Sequence, residues 1–118
     1  MSEKQKLLIV DDSELNRDIL KEILGSRYDY MEAENGTQAI QILEVHPEID
    51  LMLLDINMPQ MNGFQVLEHM RELQWIDEVP VVMISSEESV EIMRKAYDLG
   101  ITDYISRPFD AVIVKKRV

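Results

Sequence analysis

A chain of 118 residues, 46% of them apolar, suits one globular domain, with enough chain to bury a single core and too little for two. Its net charge of −11 argues against direct nucleic-acid binding, which needs a basic surface, and favours cations and basic partner surfaces. The sequence has no cysteine, which removes disulfides, thiolate ligands and cysteine nucleophiles; no apolar run approaches the ~20 residues of a membrane span and no secretory or transit segment is read at the start, so a cytoplasmic location away from membranes is expected.

Strand and helix patterns alternate five times. Residues 6–10 are an apolar strand that runs into Asp11 and Asp12. Ser13 then caps a helix with Leu15, Ile19, Leu20, Ile23 and Leu24 on one face and Gly25 as its stop. Residues 28–33 read as a second strand, interrupted by Asp29 and Glu32. Asn35-Gly36 opens a helix that turns Ala39, Ile40 and Leu43 inward and closes before Pro47. Between Asp50 and Asp55 stand Leu51, Met52, Leu53 and Leu54, an unbroken apolar run with helical patterns on both sides. Such a run is a fully buried strand in the middle of a parallel sheet, with Asp55 at its carboxyl end.

Asn57-Met58-Pro59 and Asn62-Gly63 make a loop, and Phe64, Leu67, Met70 and Leu73 repeat along a third helix. Residues 79–84 form a fourth strand ending at Ser85-Ser86. Ser86 caps the next helix, Glu87 and Glu88 complement its positive end, and Val90, Met93 and Tyr97 take the buried face up to Gly100. Residues 101–106 are the fifth strand, and Arg107-Pro108-Phe109 leads into a last helix through Ala111, Val112, Ile113 and Val114. That helix has no glycine stop, and Lys115-Lys116-Arg117 reads as the start of a longer one. Residues 1–118 are therefore expected to be one domain cut from a larger protein, with the last helix truncated and its several apolar faces suited to a partner or dimer surface.

Five such units build a doubly wound α/β sheet, with right-handed crossovers placing two helices on one face and three on the other. In the flavodoxin-like strand order of these sheets, 2-1-3-4-5, the first and third strands are neighbours and ligands bind beyond the carboxyl ends. Asp11, Asp12 and Asp55 then converge at one edge, and Ser85 and Arg107 come from the ends of the next two strands.

Three carboxylates in one pocket repel one another, by ~1 kcal/mol per pair at 4 Å in water and ~4 kcal/mol at an effective dielectric of 20. A divalent cation relieves the repulsion, and an all-oxygen donor set suits Mg²⁺ or Mn²⁺. Asp12 and Asp55 are assigned as direct ligands, the backbone carbonyl of Asn57 as a third, and Asp11 as direct or water-mediated. Acid, metal, hydroxyl and guanidinium together suit phosphoryl transfer, in which Asp55 attacks phosphorus while Ser85 and Arg107 meet two phosphoryl oxygens. Taken one at a time, each aspartate would read as an ordinary strand-end acid, Ser85 as a cap and Arg107 as a solvated charge. Their joint placement carries the chemistry.

Four motifs run through the chain in order: Val10-Asp11-Asp12; Leu54-Asp55-Ile56-Asn57-Met58-Pro59 with Met61-Asn62-Gly63; Ile84-Ser85-Ser86; and Tyr104-Ile105-Ser106-Arg107-Pro108-Phe109. With them the chain resembles a CheY-like response regulator receiver domain of two-component signal transduction. The resemblance implies a signalling domain rather than an enzyme, with Asp55 as phosphoacceptor for a histidine kinase or phosphotransfer domain and Mg²⁺ required. It also implies that Ser85 and Tyr104 form a switch that remodels the face of the fourth helix, fifth strand and fifth helix towards an output domain, a partner protein or a second copy. Asn57 and Glu87 lie where the family tunes acyl-phosphate hydrolysis, here in the direction of a short-lived phosphoprotein. The Arg107-Pro108 bond is expected to be cis by the same analogy.

One residue departs from the family pattern, because Arg107 stands where Lys is usual. A planar, permanently charged guanidinium can bind phosphate with two hydrogen bonds but sits differently from an ammonium. Phosphorylation is expected to survive and coupling to Ser85 and Tyr104 to change; the alternative is a receiver-like interaction module not regulated by phosphorylation. A flavin module would want a Gly- and Ser-rich first loop where Asp12-Ser13-Glu14 stands, and an aspartate-nucleophile phosphatase a second acid where Asn57 stands. Met52, Met70, Met83 and Met93 read as core filler and Trp75 as packing on the third helix, and neither His46 nor His69 is given a role.

Overall fold

The computed structural model describes residues 4–58, 61–85, 90–106 and 109–118. Five strands, β1 (Gln5–Val10), β2 (Tyr28–Ala33), β3 (Leu51–Asp55), β4 (Val81–Ser85) and β5 (Asp103–Ser106), alternate with five helices, α1 (Glu14–Leu24), α2 (Gly36–Val45), α3 (Gly63–Glu72), α4 (Val90–Asp98) and α5 (Ala111–Arg117). The strands form one sheet in the order β2-β1-β3-β4-β5, and every pairing is parallel. The expected doubly wound topology is therefore the observed one.

Burial explains which strands read clearly. Met52, Leu53 and Leu54 of β3, Val81 to Ile84 of β4 and Leu8 and Ile9 of β1 are all inaccessible to solvent, as expected of strands covered on both faces. β2 lies at the sheet edge and holds one buried residue, Ala33, so it tolerates Asp29 and Glu32. The helices divide as the crossovers require. Leu20 and Leu24 of α1 and Val114 of α5 pack on one face, while Ala39 and Leu43 of α2, Val66, Leu67 and Met70 of α3 and Ala96 of α4 cover the other.

β4 and β5 start two residues later than the sequence reading has them, at Val81 and Asp103. Pro80 has no N–H to enter the ladder, although its carbonyl accepts from Met52 N–H at 2.9 Å. Ile101 N–H is used at 3.3 Å by the Ala96 carbonyl in closing α4. Three helix faces also need correction. Leu15 of α1 is 68% exposed, and Leu73 beyond α3 and Val90 and Tyr97 of α4 lie outward too. The inward rows are Arg17, Leu20 and Leu24 in α1, Gly63, Val66, Leu67 and Met70 in α3, and Ala96 in α4. Leu15 is two residues from Arg17, roughly 200° around the helix. Met52, Met70 and Met83 are core residues, with Met93 and Trp75 packed against the same cluster.

Candidate functional site

At the carboxyl edge of the sheet, Asp11, Asp12 and Asp55 each present a carboxylate oxygen, and these oxygens lie within 4.8 Å of one another. Asp11 and Asp55 are buried and Asp12 is exposed. The backbone dictates this convergence. Asp11 N–H donates to the Ala33 carbonyl at 3.1 Å, continuing the β1–β2 ladder by one bond. Asp11 Oδ1 then accepts from Ser13 N–H at 2.9 Å, and Ser13 Oγ caps α1 by accepting from Asn16 N–H at 3.3 Å. β1 and β3 are hydrogen-bonded neighbours, Val10 facing Leu54, so the acids that follow them meet.

Two glycines fold the next loop tightly against Asp55. Gly63 N–H donates to the Ile56 carbonyl at 2.8 Å, and a Cβ on Gly63 would stand 2.5 Å from the Asp55 carbonyl oxygen and 2.9 Å from Ile56 Cα. Gly36, at the start of α2, donates to the Met61 carbonyl at 3.1 Å, and a Cβ there would meet that oxygen at 2.5 Å. No larger residue lets the backbones approach so closely. Asn57, exposed on this loop, donates its N–H to Asp55 Oδ1 at 3.4 Å.

Ser85 ends β4 and is buried, facing Ser106 across the ladder. Asp55 pairs with Ile84, the residue before Ser85, so the hydroxyl comes from the strand end next to the acids. Tyr104 is 2% exposed, which puts its ring inside the protein. Its N–H donates to Asp103 Oδ1 at 2.8 Å, and its carbonyl accepts from the Arg117 guanidinium, which ties β5 to α5. The expectations for Arg107, Glu87, the Ser86 cap and the Arg107–Pro108 bond fall outside the described residues.

A contributor absent from the sequence reading is Arg17. It is only 7% exposed, its Nε donates to Glu32 Oε1 at 3.0 Å, and its Nη1 donates to the Asp11 carbonyl. Lys21 Nζ reaches the other Glu32 oxygen at 3.0 Å. Burial pushes the Glu32 carboxyl up, but hydrogen bonds from Lys21 and Arg17 outweigh it and hold the group below the usual carboxylate range. The signal was present in the sequence: a charged residue three and seven places before Leu20 and Leu24 on the inward row.

The donor set is all oxygen, two of the three acids are withdrawn from water, and their proximity is costly without a counter-charge. These residues fit a hard divalent cation that keeps several waters, such as Mg²⁺.

Residues 7–118 match the family model described as the response regulator receiver domain. The chain belongs to that family. It is 34% identical over 115 residues to the chemotaxis protein CheY1 of Helicobacter pylori, covering 96% of this chain and 93% of that protein. The CheX–CheY–BeF3–Mg complex of Borrelia burgdorferi superposes with a TM-score of 0.89 at 30% identity, over 96% of this chain and 85% of that one. Vibrio cholerae CheY4 does so at 0.86 and 27%, over 97% and 95%. Receiver domains are signalling modules rather than enzymes, and the acidic cluster with which they bind Mg²⁺ is present here as Asp11, Asp12 and Asp55. Among the described residues no helix is long and apolar enough to cross a membrane.

Proposed function

We propose that this receiver domain accepts a phosphoryl group from a histidine kinase or phosphotransfer domain on Asp55 and passes the change to the face formed by α4, β5 and α5. The observation that carries the reading is the meeting of three aspartate oxygens within 4.8 Å at the end of the central strand. Asp12, Asp55, the Asn57 carbonyl and Asp11, directly or through water, would hold Mg²⁺, with Mn²⁺ as the substitute the same oxygens accept. When bound, the ion supplies positive charge against the phosphoryl oxygens.

Asp55 Oδ bonds to phosphorus as the P–N bond of a phosphohistidine breaks. The electron pair leaves on the imidazole nitrogen, which is protonated in turn, and an acyl phosphate remains. Ser85, one strand away, donates its hydroxyl to a phosphoryl oxygen, and Arg107 meets another. The Borrelia relative is a CheY captured with Mg and BeF3 beside CheX, which supports both the ion and a protein partner for this fold. Ser85 and Tyr104 act as the switch: Tyr104 is buried and its backbone is tied to α5 through Arg117, so a shift of the ring is felt by that helix. Val90 and Tyr97 of α4 and Val112 and Ile113 of α5 are exposed and form the apolar part of an output, partner or dimer surface. Asn57 and Glu87 tune hydrolysis.

The test is a titration with Mg²⁺ and beryllofluoride followed by thermal unfolding. At a hundred times Kd a ligand selective for the folded state adds ~2.7 kcal/mol. A rise in midpoint that Asp55→Asn abolishes supports the reading; no rise with both present, or an equal rise in Asp55→Asn, overturns it.

A further inference from the structure

We propose that Arg17 is a positioning residue for the metal-binding acids, acting through the backbone of Asp11; this rests on the metal reading above. Asp11 is fixed from three directions: its N–H by the Ala33 carbonyl at 3.1 Å, its Oδ1 by Ser13 N–H at 2.9 Å, and its carbonyl by the Arg17 guanidinium. The first two bonds belong to the strand and the turn. The third comes from a side chain one helical turn into α1 and is anchored elsewhere, because Arg17 Nε is held by Glu32 of β2 at 3.0 Å. Arg17 therefore clamps α1, the end of β1 and the edge strand around the residue that opens the acidic cluster.

The planar fork of a guanidinium lets one side chain serve a carbonyl and a carboxylate at once, which a single ammonium at the end of a flexible stem does poorly. Burying it is costly unless both partners are present, and both are. Lys21 approaches the same Glu32 from the exposed side, with Asp18 at 3.3 Å as its other partner, and it has no bond to Asp11 among those described.

Charge and position pull in opposite directions here, which makes the proposal testable. A cation near the acids opposes Mg²⁺ through space, so neutralising Arg17 would tighten metal binding if charge were its whole effect. If it positions Asp11, the same change loosens binding, and outer partners of metal ligands commonly alter affinity by roughly 10–100-fold.

The experiment is calorimetric titration of metal-free wild type, Arg17→Met, Arg17→Lys and Lys21→Met with Mg²⁺, at a temperature where circular dichroism shows each folded. Amide exchange at Asp11 and Ser13 is read in the absence of metal. Both Arg17 variants are expected to weaken Mg²⁺ by about tenfold and to speed exchange at Asp11 and Ser13 without changing β4, while Lys21→Met stays within about twofold of wild type. A general loss of stability would leave the Kd of the folded protein unmoved. Unchanged or tighter binding in Arg17→Met, or wild-type affinity in Arg17→Lys, overturns the proposal; should Arg17→Met not fold, Arg17→Lys carries the contrast. A wild type that gives neither Mg²⁺ heat nor a Mg²⁺-dependent rise in thermal midpoint overturns the metal reading itself, and unchanged Asp11 exchange in the Arg17 variants overturns the positioning role whatever the metal does.

Discussion

Replacing Asp55 by Asn should stabilise the metal-free protein. Asp55 is buried and has two acid neighbours, Asp11 buried and Asp12 exposed, each with an oxygen within 4.8 Å. At that separation a pair of unit charges repels by ~3.5 kcal/mol at an effective dielectric of 20, appropriate to the Asp11 pair, and by ~0.9 kcal/mol in water, closer to the Asp12 pair. The gross repulsion removed is thus ~4 kcal/mol. Asn keeps an oxygen able to accept from Asn57 N–H, now 3.4 Å from Asp55 Oδ1, but loses charge-assisted bonding worth ~1.5–3 kcal/mol. The net expectation is a gain of ~1–2.5 kcal/mol in urea unfolding at low salt without divalent ions, shrinking as salt screens the pairs. Added Mg²⁺ should stabilise wild type and leave the variant behind. An Asp55→Asn protein less stable than wild type in metal-free buffer would refute the argument that the cluster is held against its own repulsion.

Gly63→Ala must push against the Asp55 carbonyl and Ile56 Cα; overpacking of ~1–3 kcal/mol, partly offset by the helix preference of Ala, should lower the urea midpoint and slow labelling by a small phosphodonor, and wild-type labelling would contradict it. Ser85→Ala should weaken beryllofluoride binding by roughly 10- to 150-fold, the value of one hydrogen bond to a charged group, with calorimetry as the check and unaltered affinity as the contrary result. Glu48 is held at about 2, below its ordinary 4.5, by its own backbone N–H and then by His46 and Lys6. A depressed carboxyl contributes stability that is complete above its unfolded value and is lost as pH falls through the folded one. Glu48→Gln should therefore flatten the acid limb between about 4.5 and about 2, measured by unfolding across that range; an identical limb would show that these partners do not act on folding.

The central strands could be read directly because burial on both faces demands unbroken apolar runs, and an acid closing such a run marks the sheet edge where ligands bind. β2 was harder, since its edge position admits Asp29 and Glu32 and weakens the pattern. Helix faces are less legible, because an apolar residue is no proof of an inward position: Leu15 and Val90 point outward, and the three-residue spacing from Phe64 to Leu73 drifts by about 60° per step around a helix of 3.6 residues per turn. Arg17 shows in the sequence as a charge on the inward row of α1, but its partners are legible only from the fold, since they come from β2 and the end of β1. The same holds for Gly36, whose place at the head of a helix gave no hint of the Met61 carbonyl against it.

Phosphorylation by a small phosphodonor with Mg²⁺, trapping by borohydride reduction and mapping of the modified peptide test the central claim most directly. The modification is expected on Asp55 and should disappear when Mg²⁺ is chelated before the donor is added. Label at another residue, or none under conditions where a related receiver domain is labelled, would contradict it.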